Sequence, residues 1–404
     1  MPGHLEDPHE SPRARPEQSR DGRLSKMSAT NNPLVSVVVP ARNEEACLGS
    51  CLESLVAQTG INFEVIVVND DSSDRTAEIA RSFPGVHLIE AGPLLDGWTG
   101  KNNAMATGAK AGKAKWLLFT DADTVHKSGS LMRAVAEAEQ RGAALLSYSP
   151  QQEVRGFWEK AVMPVIFAEL AVTYPPAKVN DPASPLAAAN GQYLLISREA
   201  YDAVGGHANP KIAGDLLEDV AIARLVKRSG RKIFFRYGGD AVRTRMYRSF
   251  GQLREGWTKN LALLFRHPVR LAGWSLLEFL CFVALANGLI RGVFFGKPYF
   301  PSGSVLAAYH VPDRYAFLFK DWMVVGVAVA VLCLLLNFIR RIRKAHFSWA
   351  LSGVSLLGPP IFVYLLLRST YFYKKGRVDW KARSYVYSVE EINLLRSNKL
   401  PEQI

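Results

Sequence analysis

The chain has 404 residues, 21% of them charged, which leaves room for a catalytic domain and a further segment. Its four cysteines show neither disulfide nor zinc spacing, which excludes a disulfide-stabilised secreted domain and a zinc finger. The net charge of +12 is compatible with nucleic acid or an anionic membrane surface, but no RNA-binding or basic-zipper pattern accompanies it. We therefore predict no nucleic-acid partner.

Residues 1–32 are rich in Pro, Arg, Glu and Ser and contain almost no large apolar residues. Such a segment buries too little surface to offset the entropy of ordering, so a disordered leader is predicted. It lacks the apolar core of a signal peptide, and Met27 is an alternative start.

Residues 33–268 are predicted to form a catalytic α/β domain. The β-branched run 34–39 is typical of a strand buried on both faces. The predicted strands are 34–39, 63–68, 86–89, 116–120 and 144–147, and the predicted helices are 43–58, capped by Asn43, 74–82, 101–111 and 131–140. This alternation indicates a doubly wound, mostly parallel sheet.

A membrane region is predicted for residues 269–367. It contains three apolar segments of 18 to 21 residues, each long enough to cross about 30 Å of hydrocarbon as a helix: 271–289, 322–339 and 347–367. Glu278 is the single charged residue in these segments, and the sequence assigns it no role. A mixed stretch at 156–175 indicates a helix that lies either at the bilayer interface or against the sheet.

Basic residues predict the orientation. Four of them follow the second apolar segment, namely Arg340, Arg341, Arg343 and Lys344. Because cytoplasmic loops carry excess Lys and Arg, the catalytic domain of this multi-pass protein is predicted on the cytoplasmic side of the inner membrane. If the third segment crosses fully, the basic tail 368–404 lies outside. Pro359 and Pro360 instead permit a broken helix that returns the tail, and both alternatives stay open.

Carboxylates follow two of the predicted strands. Asp121 and Asp123 come directly after the strand 116–120, and Asp70 follows the strand 63–68. Because ligands of open α/β sheets bind beyond the carboxyl ends of the strands, we expect these side chains in one crevice. Asp121 and Asp123 suit a hard divalent cation that bridges a diphosphate, and Asp70 can accept the imide proton of uracil.

Three motifs together resemble the family-two glycosyltransferases of the GT-A fold: VVVPARNE at 37–44, VVNDDSSD at 67–74 and DAD at 121–123. The resemblance covers roughly residues 34 to 260. It implies a nucleotide-diphospho-sugar donor such as a UDP-sugar, a Mg²⁺ or Mn²⁺ requirement and an inverting displacement.

The resemblance also implies roles for single residues. The donor-binding residues are Pro40, Arg42, Glu44, Asp70, Lys101 and Asp121, and the metal ligands are Asp121 and Asp123. In the Glu218-Asp219 pair, Asp219 matches the general base that takes the proton of the acceptor hydroxyl. The alternative for this pair is the capped start of a helix.

Acceptor contacts are implied for Gly191, Gln192 and Trp257. Trp257 matches an Arg-Trp element of processive and ceramide-type members, but Gly256 stands in place of the arginine. The motifs GKNNA at 100–104 and GQYLL at 191–195 resemble members linked to carotenoid or hopanoid lipids. His126 and His207 are interpreted as structural.

The leading hypothesis is a membrane-bound, metal-dependent inverting glycosyltransferase that acts on a hydroxyl or carboxyl of a lipid acceptor. A processive polysaccharide synthase is one alternative, and a catalytically inactive membrane protein that binds nucleotide sugars is the other. A general base at Asp219 distinguishes an enzyme from a pure binder.

Overall fold

The computed structural model describes residues 32–295, 313–381 and 383–387. The predicted leader, apart from Asn32, and the end of the tail lie outside the described residues. Residues 296–312, between the first two apolar segments, also lie outside the described residues.

The main sheet has seven strands in the order β3-β2-β1-β4-β8-β6-β9. Strand β8 is antiparallel to its neighbours β4 and β6, and the other neighbouring pairs are parallel. The strands of the main sheet are β1 (Val35–Ala41), β2 (Phe63–Asn69), β3 (Val86–Glu90), β4 (Trp116–Phe119), β6 (Leu145–Ser149), β8 (Leu194–Ser197) and β9 (Ile233–Tyr237). A small second sheet consists of β5 (Thr124–His126), β7 (Gln151–Gln152) and β10 (Val242–Thr244). The predicted mostly parallel α/β fold is confirmed.

Helices cover both faces of the sheet and bury the central strands. The valines at 35, 37, 38 and 39 are fully buried, as the β-branched run predicts. The helices are α1 (Leu48–Val56), α2 (Thr76–Arg81), α3 (Gly100–Ala111), α4 (Ser130–Arg141), α5 (Phe157–Thr173), α6 (Pro176–Val179), α7 (Arg198–Ala203), α8 (Pro210–Ala213), α9 (Glu218–Arg228) and α10 (Phe250–Leu264), with a 3₁₀ turn at Gly206–Ala208.

The predicted start of the first helix at Asn43 is wrong, since α1 begins at Leu48. Asn43 has a positive φ of 53°, and its side-chain oxygen accepts a hydrogen bond from the Ser73 N–H instead of capping a helix. The next backbone N–H, that of Glu44, donates to the Thr76 hydroxyl. Residues 43–47 are thereby tied to the loop after β2, which also borders the crevice.

Two described helices are long and apolar enough to cross a membrane, over Pro268–Arg291 and Val324–Lys344. They belong to α11 (Pro268–Phe295) and α12 (Asp313–Lys344). Arg341 of α12 forms ion pairs with Glu278 of α11 and with Glu169 of α5. These pairs link both apolar helices to the catalytic domain.

The third apolar segment is broken into a 3₁₀ turn (Trp349–Leu351), the short helix α13 (Ser352–Ser355) and the helix α14 (Gly358–Lys374). Helix α14 packs on α5 and α10, where Phe362, Leu365 and Leu366 are fully buried. Gly358 permits this contact, because a Cβ there would lie 2.2 Å from the Ala161 carbonyl oxygen. The number of membrane crossings stays a prediction.

After α14 the chain forms an antiparallel hairpin of β11 (Arg377–Trp380) and β12 (Arg383–Val386). Val378 of this hairpin is fully buried in a cluster with Leu217, Leu263 and Tyr373. The described part of the basic tail therefore packs on the catalytic domain.

Candidate active site

Carboxylates from three parts of the fold border a single cavity of about 1160 Å³. Asp70 follows β2, Asp121 and Asp123 follow β4, and Asp219 lies in the first turn of α9. Asp70, Asp121 and Asp123 were predicted from the strand ends to share one crevice, and the structure places them, together with Asp219, along the same cavity.

Hydroxyl groups fix the turn that carries Asp121 and Asp123. The Thr124 hydroxyl donates to the Asp121 carbonyl oxygen at 2.7 Å, and the Thr120 hydroxyl donates to the Gln192 carbonyl oxygen at 2.8 Å. His126 Nε2 lies 3.1 Å from the Thr120 hydroxyl, and burial lowers the pKa of His126 to about 3. A neutral His126 thus supports the turn, in keeping with its structural interpretation.

Asp123 is crowded by other negative charges. Burial, together with Asp121 and Glu44, raises the pKa of Asp123 to about 7. A divalent cation fits this environment, because carboxylate oxygens are hard ligands and Asp123 is buried close to two further negative charges, Asp121 and Glu44. The described residues contain no cluster of three His, Cys, Asp or Glu ligands. Mg²⁺ is commonly held by one or two carboxylates together with substrate phosphates, so Asp121 and Asp123 are sufficient protein ligands.

Lys101 lies between two acidic groups in the cavity. Its Nζ is 2.8 Å from Asp121 Oδ1 and 2.8 Å from Glu218 Oε1. Burial opposes its charge, but the two carboxylates hold the pKa of Lys101 well above its ordinary range. A Cβ at Gly108 would lie 2.4 Å from Val38 Cγ1, so this glycine lets α3, and with it Lys101, lie close over β1.

Backbone groups hold the carboxylate of Asp219. Its Oδ2 accepts a hydrogen bond from the Gly191 N–H at 2.8 Å, and its Oδ1 accepts one from the Val220 N–H at 2.8 Å. Burial and the neighbouring Glu218 raise the pKa of Asp219 to about 6. The Glu218-Asp219 pair begins α9, and Asp219 also faces the cavity; its role as general base stays a prediction.

Gln192 lies beside the metal-ligand pair. Its Nε2 donates to the Thr244 hydroxyl at 3.2 Å and lies 3.5 Å from Asp123 Oδ1, while its buried Oε1 has no hydrogen-bond partner among the described residues. Gly191 is confined by Lys101 and Glu218, since a Cβ there would lie 3.3 Å from Lys101 Nζ. Gly191 and Gln192 thus contact the carboxylate cluster itself.

The segment containing Pro40, Arg42 and Glu44 lines the same cavity. Arg42 Nη1 donates to the Asp70 carbonyl oxygen at 2.7 Å and to the Asp71 carbonyl oxygen at 3.2 Å. Arg42 therefore holds the loop that presents Asp70.

The sequence did not predict that two cations of the hairpin β11–β12 lie at the site. Arg383 donates to both Asp70 oxygens, at 2.6 and 3.0 Å, and Lys381 pairs with the Glu44 carboxylate. The sequence treats these residues as part of a basic tail. No local pattern connects Arg383 with a residue 313 positions earlier.

Residues 36–205 match the family model described as glycosyl transferase family 2. The match extends over 170 of the 404 residues of the chain, from β1 to just after α7. A curated relative, the 4,4'-diaponeurosporenoate glycosyltransferase of Staphylococcus aureus strain USA300, is 30% identical over 241 residues. That alignment covers 57% of this chain and 62% of the relative, so the chain spans less than two thirds of the relative's length.

Solved structures are also similar. A mannosyltransferase from Pyrobaculum calidifontis, in complex with GDP-Man and Mn²⁺, is 16% identical with a TM-score of 0.47, covering 85% of this chain and 87% of that one. A mannosyl-3-phosphoglycerate synthase from Rubrobacter xylanophilus is 21% identical with a TM-score of 0.36, covering 55% and 69%.

Trp257 of α10 is almost wholly buried against α5. Its Nε1 contacts Met163 Sδ at 3.3 Å, and its ring packs against Phe167 and Tyr247. It also borders the cavity, but the role predicted for it as an acceptor wall remains a prediction. A Cβ at Gly256 would lie 2.4 Å from the Tyr247 hydroxyl oxygen, so this position has no room for an arginine.

The cavity changes character away from the carboxylates. Its lining there includes apolar residues of α5, namely Phe167, Leu170 and Val172, and Ala345 and Phe347 after α12, together with Arg341, Lys344 and His346. The cavity thus joins an acidic crevice to apolar side chains of α5 and to basic residues at the end of α12.

Proposed function

We propose that this chain is a membrane-bound inverting glycosyltransferase that moves a sugar from a nucleotide-diphospho-sugar to a lipid acceptor. The observation that carries the proposal is the single cavity, acidic at the strand ends and apolar toward α5. A polar donor and an apolar acceptor require such a two-part site. The Staphylococcus aureus relative, whose name specifies 4,4'-diaponeurosporenoate, supports a lipid acceptor.

The transfer is a single displacement. The acceptor oxygen forms a bond to the anomeric carbon while the bond from that carbon to the donor diphosphate breaks, and the electron pair leaves with the diphosphate. With a hydroxyl acceptor, the proton passes to the Asp219 carboxylate. Lys101, fixed between Asp121 and Glu218, holds the acidic side chains in place for this step.

A divalent cation bound by Asp121 and Asp123 would neutralise negative charge on the leaving diphosphate. Gln192 supports Asp123 from the other side. Asp70, with the loop held by Arg42, is proposed to recognise the base.

The two long apolar helices and the basic residues after the second support a multi-pass location in the inner membrane with the catalytic domain in the cytoplasm. A lipid acceptor then reaches the apolar end of the cavity from the adjacent bilayer.

The test is incubation of membranes containing the full chain with labelled UDP-glucose, UDP-galactose, UDP-N-acetylglucosamine and GDP-mannose in Mn²⁺, followed by lipid extraction. Label in the organic phase that is lost in Asp123→Asn membranes supports the proposal. Label in long water-soluble polymer would indicate the processive synthase, and donor binding without transfer would indicate the inactive binder.

A further inference from the structure

The C-terminal hairpin β11–β12 forms part of the wall of the donor crevice. Trp380, Lys381, Arg383 and Tyr385 all line the cavity. The hairpin is held in position by the buried Val378 and by the Lys381 N–H, which donates to Glu255 Oε1 at 3.1 Å. The hairpin therefore packs on the catalytic domain, while the side chains of these four residues face the crevice.

The two cations of the hairpin retain unused hydrogen-bond donors. Arg383 uses two N–H groups on Asp70, out of the five of a guanidinium group. Lys381 Nζ contacts the Glu44 carboxylate and the Arg42 carbonyl oxygen, out of three possible donors. The position of the Arg383 side chain requires a glycine at residue 100, because a Cβ there would lie 1.6 Å from Arg383 Nη1.

The crevice is lined by many negatively charged side chains, so a bound diphosphate would require nearby cations. Its lining includes seven carboxylates: Glu44, Asp70, Asp121, Asp123, Glu218, Asp219 and Glu255. Lys101 is already shared between two of them. A diphosphate adds about two negative charges in a partly buried site, where repulsion between like charges is much stronger than in water.

The positions of the two cations match a diphosphate between the base and the metal. Arg383 is bonded to Asp70, the proposed base-recognition residue, and Lys381, paired with Glu44, lines the same cavity as Asp121 and Asp123. We infer that Lys381 and Arg383 bind the diphosphate of the nucleotide-sugar donor. This inference rests on the proposed function.

The test measures nucleotide affinity rather than transfer. The full chain in lipid nanodiscs is titrated calorimetrically with uridine, UMP and UDP, and in parallel with guanosine, GMP and GDP. The variants are Lys381→Met and Arg383→Gln, which remove charge at similar side-chain length. Lys374→Met is the matched control, because Lys374 is exposed on the same C-terminal segment and does not line the cavity.

Each variant is expected to weaken diphosphate binding at least about tenfold, the scale of one charge-assisted hydrogen bond, with a smaller effect on the nucleoside. The affinity of each variant should also depend less on salt, whereas Lys374→Met should match the wild type. Thermal unfolding midpoints within a degree of the wild type establish that the hairpin variants fold.

Unchanged diphosphate affinity in both variants overturns the inference while leaving the proposed function intact. Tighter binding of nucleoside and diphosphate by Arg383→Gln also overturns it, because Arg383 would then act as a plug over Asp70. If the wild type binds none of the nucleotides, both the proposed function and the inference fail.

Discussion

Glu278 in the first long apolar helix pairs with Arg341 in the second, with Oε2 and Nη1 3.0 Å apart. Arg341 also pairs with Glu169 of α5, so one guanidinium group joins the catalytic domain to both helices. This contact gives Glu278 a structural role that the sequence left unassigned.

We expect Arg341→Gln to lower the free energy of unfolding by about 1–3 kcal/mol, because it leaves two carboxylates without a cation. This loss in the free energy of unfolding is smaller than that expected for a fully buried ion pair, since the Glu278 side chain is 40% exposed. Thermal unfolding in detergent, followed by circular dichroism, measures the change. Arg343→Gln, which alters an exposed arginine on the same helix, is the control, and an equal effect of both substitutions would contradict the prediction.

Asp219→Asn is expected to keep nucleotide binding and to reduce transfer to a hydroxyl acceptor by about 10² or more, the scale of general-base catalysis. A carboxylic acid acceptor is already ionised at pH 7, so its transfer should fall much less. Steady-state rates with both acceptor types measure the difference. Asp202→Asn, on the exposed face of α7, is the control, and wild-type rates with a hydroxyl acceptor would exclude Asp219 as the base.

Transfer to a hydroxyl acceptor should depend on pH with a midpoint near 6. Burial and Glu218 raise the pKa of Asp219 to about 6, so the base is protonated and inactive below this pH and ionised above it. Lys101, Lys259 and Tyr174 also interact electrostatically with Asp219 and set the value together. A rate that does not rise between pH 5 and pH 7 at saturating donor and cation would refute the assignment.

Removal of divalent cations should abolish transfer and weaken the binding of a nucleoside diphosphate. In the wild type, Mn²⁺ should also raise the thermal unfolding midpoint, because it relieves repulsion among Asp121, Asp123 and Glu44. Asp123→Asn should lose both effects, while Asp202→Asn keeps them. Full transfer in EDTA would remove the metal from the proposed mechanism.

The sheet was predictable because each strand can be identified from a short stretch of sequence. Buried β-branched runs identify strands, and the ends of parallel strands meet at one edge, so the shared crevice of Asp70 and Asp123 followed from their positions. Asn43 was misinterpreted because its preferred partner, Ser73, belongs to a loop 30 residues away. Contacts of this kind depend on tertiary structure and leave no periodic pattern.

Other parts of the site were also not predictable from local sequence patterns, because they depend on contacts between residues far apart in the chain. Arg383 reaches Asp70 only after the chain has passed through both long apolar helices and α14. The acceptor contact of Gln192 stays a prediction. The position of its side chain beside Asp123 was not predictable, because it depends on the Thr120 hydroxyl, which holds the Gln192 carbonyl group next to β4.

The order of the chain has a consequence for how the protein is made and handled. The ribosome produces the carboxylates of the crevice first and the hairpin that faces them last, after both apolar helices have left the exit tunnel. A water-soluble fragment ending at residue 268 would keep every acidic side chain of the site and lose Lys381 and Arg383. Such a fragment is expected to carry a cluster of negative charge that lacks the two cations of the hairpin.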